Sequence, residues 1–387
     1  MILIAQRSRA EMEEPMASLI EKGYSSLEAS GRFKKMPPPG LLSLSSNDYL
    51  GLSRNPLVIE ASLRAIRSFG TGATGSRYLS GNHPLNRDLS DATAQFKTGG
   101  KGTALVFASG YHANLATVSL VSELSPLVFS DSENHASLID GMRNLKGHKI
   151  VYPHNNAEFI REYLKKNPQH KPVIVTESLF SMRGDMAPIQ ALFEIAEEYD
   201  GILVIDEAHA TGTTGLSGRG ALEALALPYV PGRMILTGTY SKALGSLGGF
   251  VILHEKAAKI FESTARTLIY TTALPPGVLA ASLEAIHVLT ENTGIVRSLQ
   301  RESRRWNAYI QKDTDSSSPI IPISGDALSL QSISDNFRAQ GYYLPVITYP
   351  TVPRGEEILR LSVNIGWDKN VKKTLEKFLT PGKGDKK

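Results

Sequence analysis

From about residue 100 onward, short unbroken apolar runs alternate with longer stretches of helical period. The runs are Thr103–Phe107, Leu127–Ser130, Lys149–Tyr152, Pro172–Thr176, Ile202–Ile205, Met234–Leu236 and Phe250–Leu253. Between two of them, Ala187–Tyr199 places Ile189, Leu192, Phe193, Ile195 and Ala196 on one helical stripe. Continuous apolar strands are strands buried on both faces, which a sheet achieves when crossover helices cover it. The pattern therefore predicts an α/β fold around a large, mainly parallel, seven-stranded sheet. Ligand sites in such sheets lie beyond the carboxyl ends of the strands, where Asp206, His209 and Thr239 fall.

Both ends of the chain break this rhythm. The first residues predict one helix, Ala10–Lys22, and then a connector, Met36-Pro-Pro-Pro-Gly40. Pro275-Pro276 opens a long helix to about Thr290, since proline suits a first helical turn. Arg297–Lys312 reads as a helix ending in a polar break at Asp313–Ser318. Ile320–Ile323, Leu328–Gln340, Tyr343–Ile347, Ile358–Asn364 and Lys369–Phe378 then read as strand, helix, strand, strand, helix. The expected organisation is an N-terminal helical segment (1–45), a large domain (46–291) and a small α+β C-terminal domain (292–387).

Composition narrows the class. The chain has 387 residues, 41% hydrophobic and 21% charged, the balance of a globular protein. It contains no cysteine, which excludes disulfides, thiolate metal sites and thiol nucleophiles. No run nears the roughly 20 apolar residues of a membrane helix, and Met1–Ala5 is too short for a signal-peptide core. A cytoplasmic protein is expected, with no metal and no membrane partner. A net charge of +4 is too small to imply nucleic acid, although it would suit an anionic substrate or an acidic carrier protein.

Candidate chemistry centres on Lys242, in the small-residue stretch Thr237–Gly249. A lysine so placed can form a Schiff base with an aldehyde cofactor. Asp206, ending the run Ile202–Ile205, can pair with a pyridinium nitrogen and keep it protonated. Together they point to pyridoxal phosphate (PLP). Phe107-Ala-Ser-Gly-Tyr-His-Ala-Asn114 supplies a strand, a glycine turn and a helix start, where main-chain N–H groups bind phosphate. Tyr111 adds an aromatic edge, His135 a stacking ring, and His209 a donor for a ring hydroxyl. Arg360, an isolated guanidinium inside a strand pattern, suits bidentate recognition of a carboxylate. Each residue has a plain structural alternative: a helix cap at Asp206, a core histidine at His135, a surface strand charge at Arg360. The set in this order is what carries the chemistry.

The motifs resemble the α-oxoamine synthases, within the fold type I PLP-dependent transferases. They are Ser46-Asn-Asp-Tyr-Leu-Gly51, Gly70-Thr-Gly-Ala-Thr-Gly-Ser-Arg77 with Ser80-Gly81, Ser109-Gly-Tyr-His-Ala-Asn114 and Asn134-His-Ala-Ser137. Glu177-Ser-Leu-Phe-Ser-Met-Arg-Gly-Asp185, Asp206-Glu-Ala-His209, Thr239-Tyr-Ser-Lys242, Tyr270-Thr-Thr272 and Pro350-Thr-Val-Pro353 follow in family order. The resemblance implies that Lys242 holds PLP and is the acid/base at the substrate α-carbon. It implies that Asp206 pairs with the pyridinium, His135 packs on the ring and His209 contacts the ring oxygen. Gly110, Tyr111 and Thr239 would bind the phosphate, with Ser109 and Ser181 also at the cofactor. Thr271 or Thr272 would reach the phosphate of a neighbouring subunit, which implies a homodimer. Arg360 would bind the amino-acid carboxylate, with Asn47 nearby.

The implied reaction is a decarboxylative condensation of an amino acid with an acyl thioester, carried by CoA or an acyl carrier protein. The block Ser45–Ser53, Asn82-His83 and Tyr349–Gly355 is most similar to the member that joins L-alanine to a pimeloyl thioester in biotin synthesis. The last block is similar to glycine-using members as well. Val363-Asn-Ile-Gly-Trp367 departs from the family's usual segment after Arg360, and Arg32 or Lys34 are the guesses for the far end of the acyl chain. An aldolase or aminotransferase using the same Lys–Asp pair is the alternative from another reaction class.

Overall fold

A computed structural model describes residues 9–379 apart from 31, 32, 34, 35, 125, 126, 144, 146, 313, 314 and 350. Arg32 and Lys34 lie outside the described residues. Seven strands form the large sheet: β1 Thr103–Phe107, β2 Leu127–Asp131, β3 His148–Tyr152, β4 Val173–Glu177, β5 Ile202–Asp206, β6 Met234–Thr239 and β7 Gly249–Leu253. Their spatial order is β1-β7-β6-β5-β4-β2-β3, and β7 alone runs against the others. All five residues of β2, β4 and β7 are buried, as a doubly covered sheet requires.

The expected strands all form, Thr103–Phe107 with its expected ends and each of the others with at least one end shifted by one to three residues. The shifts matter at the site, because Asp131, Glu177, Asp206 and Thr239 become the last residues of their strands. The Gly110–Leu124 helix crosses one face of the sheet, and Ile189–Glu198 shares the other with the main core.

Two long helices ahead of the first strand have no counterpart in the sequence reading, nor do Glu255–Thr264 and Arg266–Ile269 after the last. Pro56–Phe69 starts on Asn55, whose side chain accepts from Leu57 N, and Pro84–Thr98 starts on His83, which accepts from Leu85 N. Both carry proline in the first turn. Pro56–Phe69 packs along Pro276–Glu291 where Gly277 allows close approach: a Cβ there would lie 2.7 Å from Ile66 Cγ1.

The C-terminal part forms a second sheet from β8 Ile320–Ser324, β9 Val346–Ile347 and β10 Ile358–Ser362, with β10 between the other two. Tyr343–Ile347 is not one strand. Tyr342–Tyr343 pairs in parallel with Leu42–Ser43 of the N-terminal segment, and after Leu344-Pro345 the chain turns to pair Val346–Ile347 with β10. The N-terminal helix runs Arg9–Ala29, longer than expected. Among the described residues no helix is long and apolar enough to cross a membrane, and no cluster of three potential metal ligands occurs.

Candidate active site

The carboxyl ends of β1, β2, β4, β5 and β6 open on one edge of the sheet, and each strand delivers one or two candidate residues. β1 leads to Ser109 and Gly110, β2 to His135, β4 to Ser181, β5 to Asp206 and His209, and β6 to Thr239 and Lys242. Asp206 is buried and doubly held: Asn114 Nδ2 donates to Oδ2 at 2.6 Å and Ala208 N donates to Oδ1 at 2.8 Å. Asn114 also donates to Ser137 Oγ at 2.9 Å, and its carbonyl oxygen accepts from Thr237 Oγ1 at 2.6 Å. Ser137 in turn lies 2.8 Å from His135 Nδ1. One asparagine thus ties the strand-end carboxylate to the loop that carries His135. Asn114 had no assigned role in the sequence reading; its place on the first turn after Gly110 was the only signal.

Arg360 is buried in the middle strand β10, so it is no surface charge. Its Nε donates to Ser181 O at 2.6 Å, Nη1 to Ser362 Oγ at 2.8 Å, and Nη2 to Asn47 Oδ1 at 3.0 Å. Weaker contacts run from Nη1 to Ser45 O at 3.5 Å and from Nη2 to Tyr49 Oη at 3.4 Å. Tyr49 Oη also lies 2.8 Å from His209 Nδ1 and donates to Asn47 Oδ1 at 3.0 Å. Arg360, Asn47, Tyr49 and His209 form one hydrogen-bonded chain. Tyr49, fully buried, is a second residue that the sequence reading passed over.

Electrostatics follow from this burial. Desolvation pushes the Lys242 amine below its ordinary range; Asp206 and Glu177 oppose that shift and Arg360 adds to it. His209 is held well below its ordinary value by burial and by the cations Lys242 and Arg360, so it is neutral. Burial also lowers His135, against the pull of Asp206. Glu177, beside Asp206 in register, is pushed up to about 8, first by burial and then by the Asp206 charge. Its Oε1 is buried without a partner. Glu207 points away from this group and pairs with Lys97 at 2.7 Å, as expected for the residue after Asp206.

The remaining candidates are placed differently. Ser109 Oγ accepts from His112 N at 3.1 Å, a helix-start bond. The Tyr111 ring meets the His135 ring edge-on at 6.2 Å while its hydroxyl donates to Asp140. The Thr239 hydroxyl donates to Gly248 O at 2.7 Å, and Ser241 lies beside it at 2.8 Å. Thr272 bridges to Ser76 of the glycine-rich loop, and Thr271 and Thr272 line a cleft with Arg77, Asn86 and Ala108. None of the contacts described brings Thr271 or Thr272 to Lys242.

The sequence pattern of the family described as aminotransferase class I and II spans residues 39–378. A protein of Desulfovibrio desulfuricans named "Putative 8-amino-7-oxononanoate synthase" is 40% identical over 329 residues, covering 84% of this chain and 84% of that protein. The 8-amino-7-oxononanoate synthase of Francisella tularensis superposes with a TM-score of 0.72 at 27% identity, covering 88% of this chain and 97% of that one. A serine palmitoyltransferase of S. paucimobilis with bound PLP–myriocin superposes with a TM-score of 0.81 at 25% identity, over 96% and 98%.

The residues present fit PLP. Gly110 approaches Thr239 so closely that a Cβ would lie 3.0 Å from the Thr239 Cβ, which keeps the helix start bare for an anion. A half-buried amine, a held carboxylate and two rings stand around that point. The cofactor of this enzyme is PLP. By sequence, by fold and by the residues gathered at one sheet edge, the chain belongs to the aminotransferase class I and II family and, within it, to the α-oxoamine synthases, PLP-dependent acyltransferases like 8-amino-7-oxononanoate synthase.

Proposed function

We propose that this enzyme condenses L-alanine with a pimeloyl thioester, releasing the thiol and CO₂ and forming 8-amino-7-oxononanoate, the step found in biotin synthesis. The observation that carries it is the 40% identity to a relative of that name over most of both chains, set on a site with one amine, one held carboxylate and one buried guanidinium.

Lys242, Asp206, His135, His209, Ser109, Gly110, Tyr111, Ser181 and Thr239 would hold the cofactor. Bound there, PLP supplies an electron sink for charge developing at the substrate α-carbon. The Lys242 amine takes the α-proton; its lowered proton affinity keeps a larger share of it in the free-base form that the task needs. Asp206, fixed by Asn114 and Ala208, holds the pyridine proton. The α-carbon bonds to the acyl carbon, the C–S bond breaks and the thiol leaves. The carboxylate then leaves as CO₂, and Lys242 returns a proton to the α-carbon.

Arg360 binds the alanine carboxylate. Its donors already have acceptors, so binding is an exchange. The contacts to Ser45 O and Tyr49 Oη, at 3.5 and 3.4 Å, are the longest and the first to be replaced. Thr271 and Thr272 lie with the glycine-rich loop and would serve the site of a second subunit in a homodimer. The test is a matrix of L-alanine, glycine and L-serine against thioesters of several chain lengths, read by product mass. The 8-amino-7-oxononanoate mass from alanine and a pimeloyl thioester is expected; a larger yield with glycine or serine would overturn the substrate.

A further inference from the structure

His154, between β3 and the Ala157–Lys166 helix, belongs to none of the roles above. Its Nδ1 lies 2.9 Å from Asp131 Oδ1 and its Nε2 lies 2.9 Å from Asp185 Oδ2. The ring also stands edge-on to Phe180 at 4.4 Å. Asp131 ends β2 and caps the turn into His135: its Oδ1 accepts from Glu133 N at 2.9 Å and its Oδ2 from Asn155 N at 2.9 Å. Asp185 closes the turn that carries Ser181, with Phe180 N donating to Asp185 O at 3.0 Å and Gly184 N to Phe180 O at 2.9 Å. Ser181 O is the acceptor of Arg360 Nε. On the surface Arg183 joins the same two loops through Glu133, at 2.6 Å, and reaches Glu356 beyond them at 3.4 Å.

We propose that His154 is a positioning residue whose imidazole, shared by Asp131 and Asp185, fixes the loop of His135 against the loop whose Ser181 carbonyl aims Arg360. This rests on the reading of Arg360 as the carboxylate anchor. A ring with a carboxylate on each nitrogen is a double donor only when protonated, so the clasp has a pH window. Burial alone would lower His154, but the bonds and charges of Asp131 and Asp185 outweigh it and raise the value. A raised imidazole stabilises fully below its unfolded value of about 6.5 and loses that contribution as pH climbs through the folded value. Tyr152, on β3, faces Asp131 and is held neutral by burial, while Arg183 and Glu133 pair with each other.

The test compares the PLP-loaded wild type with His154→Gln and with Asp185→Asn, which keeps the Asp131 bond. Alanine affinity is read from the visible absorbance of the bound cofactor, together with KM and kcat. Hydrogen exchange is followed in residues 131–136 and 178–186. For His154→Gln the expected result is a rise of about tenfold in alanine Kd and KM, with kcat within about threefold. Exchange should be faster in both loops, and the wild-type advantage should fade as pH rises above 6.5. Asp185→Asn should shift in the same direction by less, and it decides the matter if His154→Gln does not fold. Unchanged alanine Kd with unchanged exchange in the loops overturns the proposal, as does a loss confined to kcat. If wild-type protein binds no alanine, the substrate reading fails, and the exchange of the two loops alone decides the coupling.

Discussion

At the scale of single residues, function concentrates where burial and charge conflict. Lys242→Ala should retain the fold and lose turnover by several orders of magnitude, checked by steady-state assay beside circular dichroism, because its amine is the base proposed to act at the α-carbon. Arg360→Lys keeps a charge but loses the fork that meets Asn47, Ser181 and Ser362 together. It should raise alanine KM at least tenfold with a smaller change in kcat. Glu177 gives a stability signature. Its folded value near 8 lies above the ordinary 4.5, so the fold binds the proton more tightly than the unfolded chain does. Its contribution to the stability of the cofactor-free protein should then fall as pH rises from about 4.5 to 8, by up to about 1.4 kcal/mol per unit, against the opposite slope that the lowered His135 and His209 give below about 6.5. Glu177→Gln should flatten that slope in pH-dependent denaturation; an unchanged slope would refute the assignment. Lys242, Asp206 and Arg360 were legible in the sequence because each is a charge set in an apolar or small-residue context. Asn114 and Tyr49 were not, since an amide and a phenol carry no such contrast until the fold shows what they join.

At the scale of elements, the strands were legible and their ends were not. An unbroken apolar run marks a doubly buried strand whatever follows it. The last residues of β4, β5 and β6 are polar at the end of the sheet that carries the site, Asp131 of β2 is polar because it caps the turn into His135, and polarity reads as a loop. Function therefore hid the strand ends. The helices Pro56–Phe69 and Pro84–Thr98 escaped the period search, although the Asn55-Pro56 and His83-Pro84 starts announce both. The Pro84–Thr98 helix has a further task. Lys97 donates to Glu207 Oε2 at 2.7 Å and to Thr211 Oγ1 at 3.0 Å, with both charges of the ion pair buried, and so anchors the loop that follows His209. Lys97→Ala would strand Glu207 without a counter-charge and should cost about 3–5 kcal/mol in chemical denaturation. Lys97→Met with Glu207→Gln should recover much of that loss.

At the scale of the whole molecule, the chain order of its motifs is the order in which strands deliver residues to one edge. Crossover connections bring β1, β2, β4, β5 and β6 to that edge from distant parts of the sequence. The small sheet contributes Arg360, and the stretch just after the N-terminal segment contributes Asn47 and Tyr49, pinned where Ser45 Oγ donates to Arg360 O at 2.7 Å. Thr271 and Thr272 stand apart from this group, and in the proposed homodimer they would serve the site of the second subunit. Mixed dimers of Lys242→Ala and Thr271→Val/Thr272→Val chains should regain activity that neither homodimer has. The acyl chain's contacts were the least legible part, since apolar pocket walls look like any core residue in sequence.

The measurement that bears most directly on the reaction uses L-alanine labelled with ¹³C at its carboxyl carbon, incubated with the PLP-loaded enzyme and a pimeloyl thioester. Labelled CO₂ should appear one-for-one with free thiol and with an unlabelled amino ketone of the 8-amino-7-oxononanoate mass. Label retained in the product, or pyruvate formed without thiol release, would contradict a decarboxylative condensation.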